Sequence, residues 1–203
     1  MRKNVIIIGA SGHVKVLADI ILKNKDNLIG FLDDCPKETS VLGYKVLGKV
    51  EDYKKYADDT EFIIGIGNNA VRKRIAGELA CKWYTAIHPS AQIAIDVTID
   101  EGSCVAANAV INTSAQIGKH VILNTATVVE HDCKVGDFCH LSPNATLCGV
   151  SSIGENVWIG AGATVNNVLE ICSNTIIASG AAVHKSITEE GTYMGVPARK
   201  KSL

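Results

Sequence analysis

A chain of 203 residues with 47% hydrophobic and 20% charged residues is globular, and its length fits one large domain or two small ones. The net charge of −1 and the lack of any basic block argue against nucleic acid or an anionic membrane as partner, and no apolar run is long enough to span a bilayer. Seven cysteines without a C-x-x-C pair suggest reduced thiols and a cytoplasmic setting.

The opening MRKNVIIIGAS has an apolar run too short for a signal-peptide core, and the run meets Gly9, so it reads as a buried strand. A glycine turn follows, then a helix from about His13 to Lys23. LIGFLDD is a second strand ending at Asp33 and Asp34. FIIGIGNN is a later strand ending at Asn68 and Asn69, and VRKRIAGELA continues it as a helix. Strands alternating with helices predict a small Rossmann-like parallel α/β sheet over residues 1–82.

Ligands of such sheets bind at the carboxyl ends of the strands, where Gly12, His13, Asp33, Asp34, Gly67 and Asn68 fall. The turn is G-x-x-G, not the G-x-G-x-x-G of dinucleotide sites, and the segment is too short for two mononucleotide halves. One nucleoside diphosphate suits it better, with phosphate on helix-start N–H groups and ribose or base edges on the carboxylates. The alternative is that the glycines only make a tight turn and the carboxylates are solvated.

From Ile87 to Val183, every sixth residue is Ile, Leu or Val, seventeen positions without an insertion. Four residues after each mark stands a mostly small side chain, such as Ala109, Thr127, Cys133, Cys139 or Ala163. A period of six fits neither a helix nor an alternating strand. It predicts a hexapeptide solenoid over residues 83–203. Each sextet is a short strand and a turn, three sextets close a triangular coil, and coils stack at about 4.8 Å. Seventeen sextets give between five and six coils. Cys133 and Cys139 lie on the small inward register and read as core.

Within the repeat, VVEHDCKVGDFCHL (residues 128–141) sets His131 and Asp132 at a corner, outside the aliphatic core. An imidazole there has the chemistry of a general base, with a carboxylate to hold its second nitrogen. The spacing alone leaves open a merely solvated histidine. His88, His120 and His184 read as structural or surface residues. The histidine spacing lacks the close H-x-x-x-x-H pair of prism-type zinc enzymes, so no metal is expected.

GASGH, FLDD, GIGNN with Arg72 four residues after Asn68, NTATVVEHDC and GVPARK occur together in this order. The combination resembles the NeuD/PglD-like sugar acetyltransferases, and the resemblance covers essentially the whole chain. It implies an N-terminal nucleotide-sugar domain and a left-handed parallel β-helix, although the general rule for parallel crossovers favours the opposite hand. It implies a homotrimer with active sites between prisms, and acetyl-CoA as co-substrate. The reaction it implies is N-acetylation of an amino group, commonly the 4-amino group of a nucleotide-linked 4-amino-4,6-dideoxy sugar, with UDP favoured over GDP. O-acetylation of a sialic acid is the alternative within the class, and a non-catalytic sugar-nucleotide binding protein is a further one.

By the same resemblance, His131 is the general base and Asp132 its partner, while Asn124 and His140 line the site. His13 touches the sugar diphosphate, and the backbone amides of Gly149, Ala161 and Ser179 hold CoA. Arg199, Lys200 and Lys201 either meet CoA phosphates or form a solvated tail. Two residues depart from the pattern. Val14 stands where many relatives have a third small residue and is expected to crowd the diphosphate turn. Asp132 stands where some have Glu, which shortens its reach toward His131.

Overall fold

The computed structural model describes residues 2–201. The N-terminal unit runs β1 (Asn4–Ile8), α1 (Val14–Lys23), β2 (Asn27–Leu32), β3 (Ser40–Val41), β4 (Tyr44–Gly48), a 3-10 helix (Val50–Lys55), β5 (Thr60–Ile64), α2 (Asn69–Glu78) and β6 (Lys82–Trp83). Its sheet has the order β3-β4-β2-β1-β5-β6, parallel except for the β3–β4 hairpin. β1 is central, and its aliphatic run is buried on both faces, as a central parallel strand demands. Val5 and Ile7 pack with α1 residues Leu17 and Ile21, whereas Ile6 and Ile8 pack with Tyr53, Phe62 and Ile75 on the other face.

The hairpin and the 3-10 helix are additions to the sequence reading. Leu42 and Gly43 both take positive φ (50° and 82°), the geometry of a two-residue hairpin loop. Two-residue β3 is too short to show an alternating pattern.

Val14 corrects an expectation. Its side chain is fully buried, and a Cβ on Gly65 would lie only 2.5 Å from it. It points into the sheet–helix core, so its bulk does not crowd the glycine turn.

The second unit is the left-handed parallel β-helix, its two-residue strands stacked into three flat sheets. The first face carries Ala86–Ile87, Cys104–Val105, Ile122–Leu123, His140–Leu141, Trp158–Ile159 and Thr175–Ile177, extended by Gly191–Met194 and an antiparallel Arg199–Lys200. The second face begins at Gln92–Ile93 and the third at Thr98–Ile99. Up to Thr175–Ile177 and Ala182–Val183, each repeat strand pairs with one eighteen residues away, as in Ile122↔His140 and Val128↔Thr146. The marked aliphatics and the small residues four later, Cys133 and Cys139 among them, form one continuous core.

The turn of nearly every sextet needs a residue in the left-handed region three places after the mark. Asn108, Asn144, Asn156, Asn174, Asp132, Gly102, Gly162 and Gly180 occupy such positions, and these residue types tolerate it. Val150 and Val168, at φ 62° and 61°, are β-branched and do not.

Candidate active site

The N-terminal unit sits against the first coils of the prism, and Arg72 is the pin between them. It is 1% exposed. Its Nε donates to the carbonyl oxygen of His120 (2.8 Å), Nη1 to those of Ile66 and Gly67 (3.0 and 3.2 Å), and Nη2 to those of Phe138 and Cys139 (2.8 and 3.1 Å) and to Asn69 Oδ1 (2.9 Å). Burial lowers its pKa to about 10. The β5–α2 loop is thereby held against the first face of the prism. Asn69 Nδ2 adds a bond to the Val157 carbonyl (3.2 Å).

This pin defines a cleft. His140 reaches from the prism to the Gly67 carbonyl through Nδ1 (3.3 Å), and its Nε2 lies 3.3 Å from Asn124 Nδ2. With Nδ1–H donating and Nε2 accepting, the ring is neutral. Burial, and then the nearby charges of Arg72 and His13, depress its pKa to about 4. His13 is likewise held at about 4 by burial and by Arg72, and its Nε2 is buried with no partner among the described residues. Gly67, His13, Asn124 and His140 are thus brought together.

At the sheet's carboxyl end, Asp33 accepts from the Ala10 amide (2.7 Å) and the Cys35 amide (2.8 Å), and Asp34 accepts from the Val50 amide (2.9 Å). Asp33 therefore shapes the glycine turn itself. Both carboxylates border a cavity of about 510 Å³ with Val46, Leu47 and Gly48 in its wall. Asn68 caps α2 through a bond from the Val71 amide (3.0 Å). Among the described residues, nothing accepts from the amides of Ser11, Gly12 or His13.

His131 lies elsewhere, at the corner between the second and third faces. Its side chain is 51% exposed, and Nδ1 stands 2.9 Å from Asp132 Oδ2, so the shorter carboxylate does reach. Nε2 faces Gly149 one coil on, where an added Cβ would lie 2.6 Å from it. Only a glycine leaves the ring that place. Gly149→Ala is therefore expected to leave thermal stability within about 0.5 kcal/mol of the parent, because the ring it displaces is exposed. It should displace the imidazole and slow by roughly 10²-fold any reaction that depends on that ring. Paired melting and rate measurements check this.

The solenoid ladder leaves the amide two places after each mark without a backbone acceptor. Gly149, Ala161 and Ser179 are such positions, and no described residue accepts from them. Gly149 shares the corner of His131, while Ala161 and Ser179 stack on the corner of Asn124, between the first and second faces. Side chains cap some such amides: Asp137 Oδ1 that of Lys119 (2.8 Å) and Ser173 Oγ that of Glu155 (3.0 Å) at the remaining corner, and Asn124 Oδ1 that of Thr125 (2.8 Å).

His88 and His120 are buried and His184 is exposed. His120 stacks on Phe138 at 5.3 Å and meets Trp83 edge-on. Sequence reasoning gave Arg72 no role and passed over Trp158. Arg72 sits among Lys73 and Arg74 in a polar helix, where nothing marks one cation as buried. Trp158 occupies the outward position of its sextet yet is large and aromatic, which was a usable signal. Among the described residues, no group of three or more His, Cys, Asp or Glu gathers to hold a metal, and no helix is long and apolar enough to cross a membrane.

A family model described as the PglD N-terminal domain matches residues 4–79. The chain is 30% identical over 146 residues to a GDP-perosamine N-acetyltransferase of Escherichia coli O157:H7, covering 68% of this chain and 64% of that relative, just under two thirds of its length. Among solved structures, the acetyltransferase domain of PglB from Neisseria gonorrhoeae FA1090 in complex with acetyl coenzyme A superposes with a TM-score of 0.93 at 33% identity, covering 99% of this chain and 100% of that one. Perosamine N-acetyltransferase from Caulobacter crescentus, as a histidine-to-asparagine mutant in complex with CoA and GDP-perosamine, gives 0.93 at 31% identity, covering 98% and 97%.

Proposed function

Because the chain belongs to the PglD-type family of nucleotide-amino-sugar N-acetyltransferases, we propose that it transfers the acetyl group of acetyl-CoA to the amine of a nucleotide-linked amino sugar, with His131 as general base. The observation that carries the reading is the His131–Asp132 pair on an exposed prism edge beside Gly149. The amine attacks the thioester carbonyl, a C–N bond forms and the C–S bond breaks. His131 Nε2 takes the proton the amine sheds and returns it to the departing thiolate. Asp132 holds Nδ1, fixing the tautomer and supporting the imidazolium. A free amide on the His131 edge, Gly149 the nearest, faces the developing oxyanion.

The acceptor's nucleoside diphosphate belongs at the carboxyl end of the N-terminal sheet. Its base and ribose lie in the cavity beside Asp33 and Asp34, its diphosphate at the free amides of Gly12 and His13, and its sugar between Gly67, Asn68, Asn124 and His140. The neutral histidines add hydrogen-bonding capacity there without a second base. The 4-amino group of a 4,6-dideoxy sugar is the proposed nucleophile, on UDP or GDP, in the cytoplasm.

His131 is seven residues beyond Asn124, across the whole second face, on the order of 20 Å away. A sugar at His140 therefore cannot bring its amine to the His131 of its own chain. The proposal follows that the site joins two copies, the His131 edge of one prism against the Asn124 edge of the next, in a homotrimer. Val150 and Val168 support this: they stand 50% and 64% exposed on the His131 edge, in strained backbone that a covering surface would offset.

A screen of UDP- and GDP-linked amino sugars with acetyl-CoA, read as free thiol, tests the activity. Release that requires an amino sugar is expected. Release with a free sialic acid instead would favour O-acetylation, and tight sugar-nucleotide binding with no release at all would favour a binding protein. Mixing copies tests the sharing. His131→Ala is inactive, and so is Asn124→Ala combined with His140→Asn. Co-assembled in equal amounts, random assortment leaves about a quarter of the interfaces intact and restores roughly that share of activity. No recovery would place both halves of the site in one chain.

A further inference from the structure

Trp158 is the one large aromatic left half-exposed on the first face, at 47%. It pairs in register with His140 one coil below, and the two rings are near-parallel at 9° with centroids 6.1 Å apart. Its Nε1 donates to Ser142 Oγ at 2.8 Å, and Ser142 is buried, so the indole orientation is set from beneath. Beside it opens a cavity of about 230 Å³ lined by Asn68, Asn69, Asn156, Asn174 and Ile176. The fold has no need of an exposed indole there. His140, one coil below, is bonded to the Gly67 carbonyl of the N-terminal unit, whereas Trp158 stays open beside the cavity that Asn68 and Asn69 border.

We infer that Trp158 is the platform on which the acceptor's sugar ring stacks, and so a specificity-determining residue of the acceptor cleft. The inference rests on the acceptor assignment proposed above. A pyranose presents a face of C–H bonds, more extensively apolar when C6 is a methyl group, and such a face is attracted to an aromatic ring. Its hydroxyls and amine turn outward to amides, which Asn68, Asn69 and Asn124 supply around the same cleft. A rigid indole tied at one end to Ser142 gives contact area at little entropy cost. It would favour deoxy amino sugars over nucleotides lacking a sugar.

The test uses the full-length chain in a Trp83→Phe background, which leaves Trp158 as the only tryptophan of the two in the sequence. Its fluorescence is titrated with a nucleotide-linked 4-amino-4,6-dideoxy sugar, with the matching nucleoside diphosphate and with acetyl-CoA alone. A response to the sugar nucleotide that the nucleoside diphosphate does not produce is expected. In the parent background, Trp158→Ala should raise the acceptor KM by roughly 10–100-fold with the acetyl-CoA KM unchanged, and Trp158→Phe should recover most of the loss. An equal response to the nucleoside diphosphate, a response to acetyl-CoA alone, or a change confined to the acetyl-CoA KM would overturn the inference and leave the acetyl transfer intact. If the parent enzyme acetylates no amino sugar at all, the acceptor assignment falls and this inference falls with it.

Discussion

With His131 as the proposed base, His131→Ala is expected to lower the rate of acetyl transfer by about 10²–10⁴-fold while the acetyl-CoA KM stays near its parent value. The size follows from what the imidazole does. An amine attacking a thioester becomes more acidic as the C–N bond forms, and without a base the proton must leave to water, of which the proposed closed interface between prisms would hold little. Asp132→Asn should cost less, because the ring keeps its position above Gly149 and loses only the carboxylate 2.9 Å from Nδ1. The near-isosteric His131→Asn separates chemistry from packing. It should melt with the parent, since the side chain is half-exposed and belongs to no core cluster, and should be as inactive as the alanine variant. Thiol release by His131→Asn at the parent rate would remove the residue from the mechanism.

The β-helix was legible because its period is carried by side-chain type alone. Seventeen inward aliphatics from Ile87 to Val183 need no tertiary partner to be recognised, and a solenoid repeats the same contacts in each coil. The His131–Asp132 pair was legible for a related reason: adjacent residues at a corner remain adjacent in any fold, and the shorter carboxylate reaches the ring after all. What depends on contacts between distant segments was not legible. The β3–β4 hairpin is fixed by Leu42 and Gly43 in positive φ, and its first strand, two residues long, is too short to carry a pattern. Val14 was misjudged because its direction is set by Gly65, fifty-one residues away, whose missing side chain makes the room. Asp33 and Asp34 were read as ligand contacts or as solvated carboxylates, yet each first satisfies a backbone amide of its own unit. Arg72 looked like any cation of a polar helix, and its burial arises only when that helix meets carbonyls sixty-odd residues on.

Arg72→Met should destabilise the chain by about 3–5 kcal/mol and lower the melting temperature by roughly 10 °C. The guanidinium holds six acceptors, five of them backbone carbonyls drawn from both units. Methionine fills much of the volume and satisfies none of them. Some of these oxygens keep another donor: Cys139 still accepts from the Ile122 amide and Gly67 from His140. The carbonyls of His120, Ile66 and Phe138 are left with no other donor among the described residues and are at least part-buried, which makes each expensive. Arg72→Lys should fall between the two, because an ammonium keeps the charge but cannot span both sides of the interface with one planar fork. The effect on the proposed acceptor site runs in parallel. With Arg72 gone, the β5–α2 loop loses its tie to the prism, Gly67 moves relative to His140, and the acceptor KM rises more than the acetyl-CoA KM, whose proposed amides at Ala161 and Ser179 lie on coils that Arg72 does not touch. A methionine variant that melts with the parent and binds acceptor normally would show that apolar packing alone joins the two units.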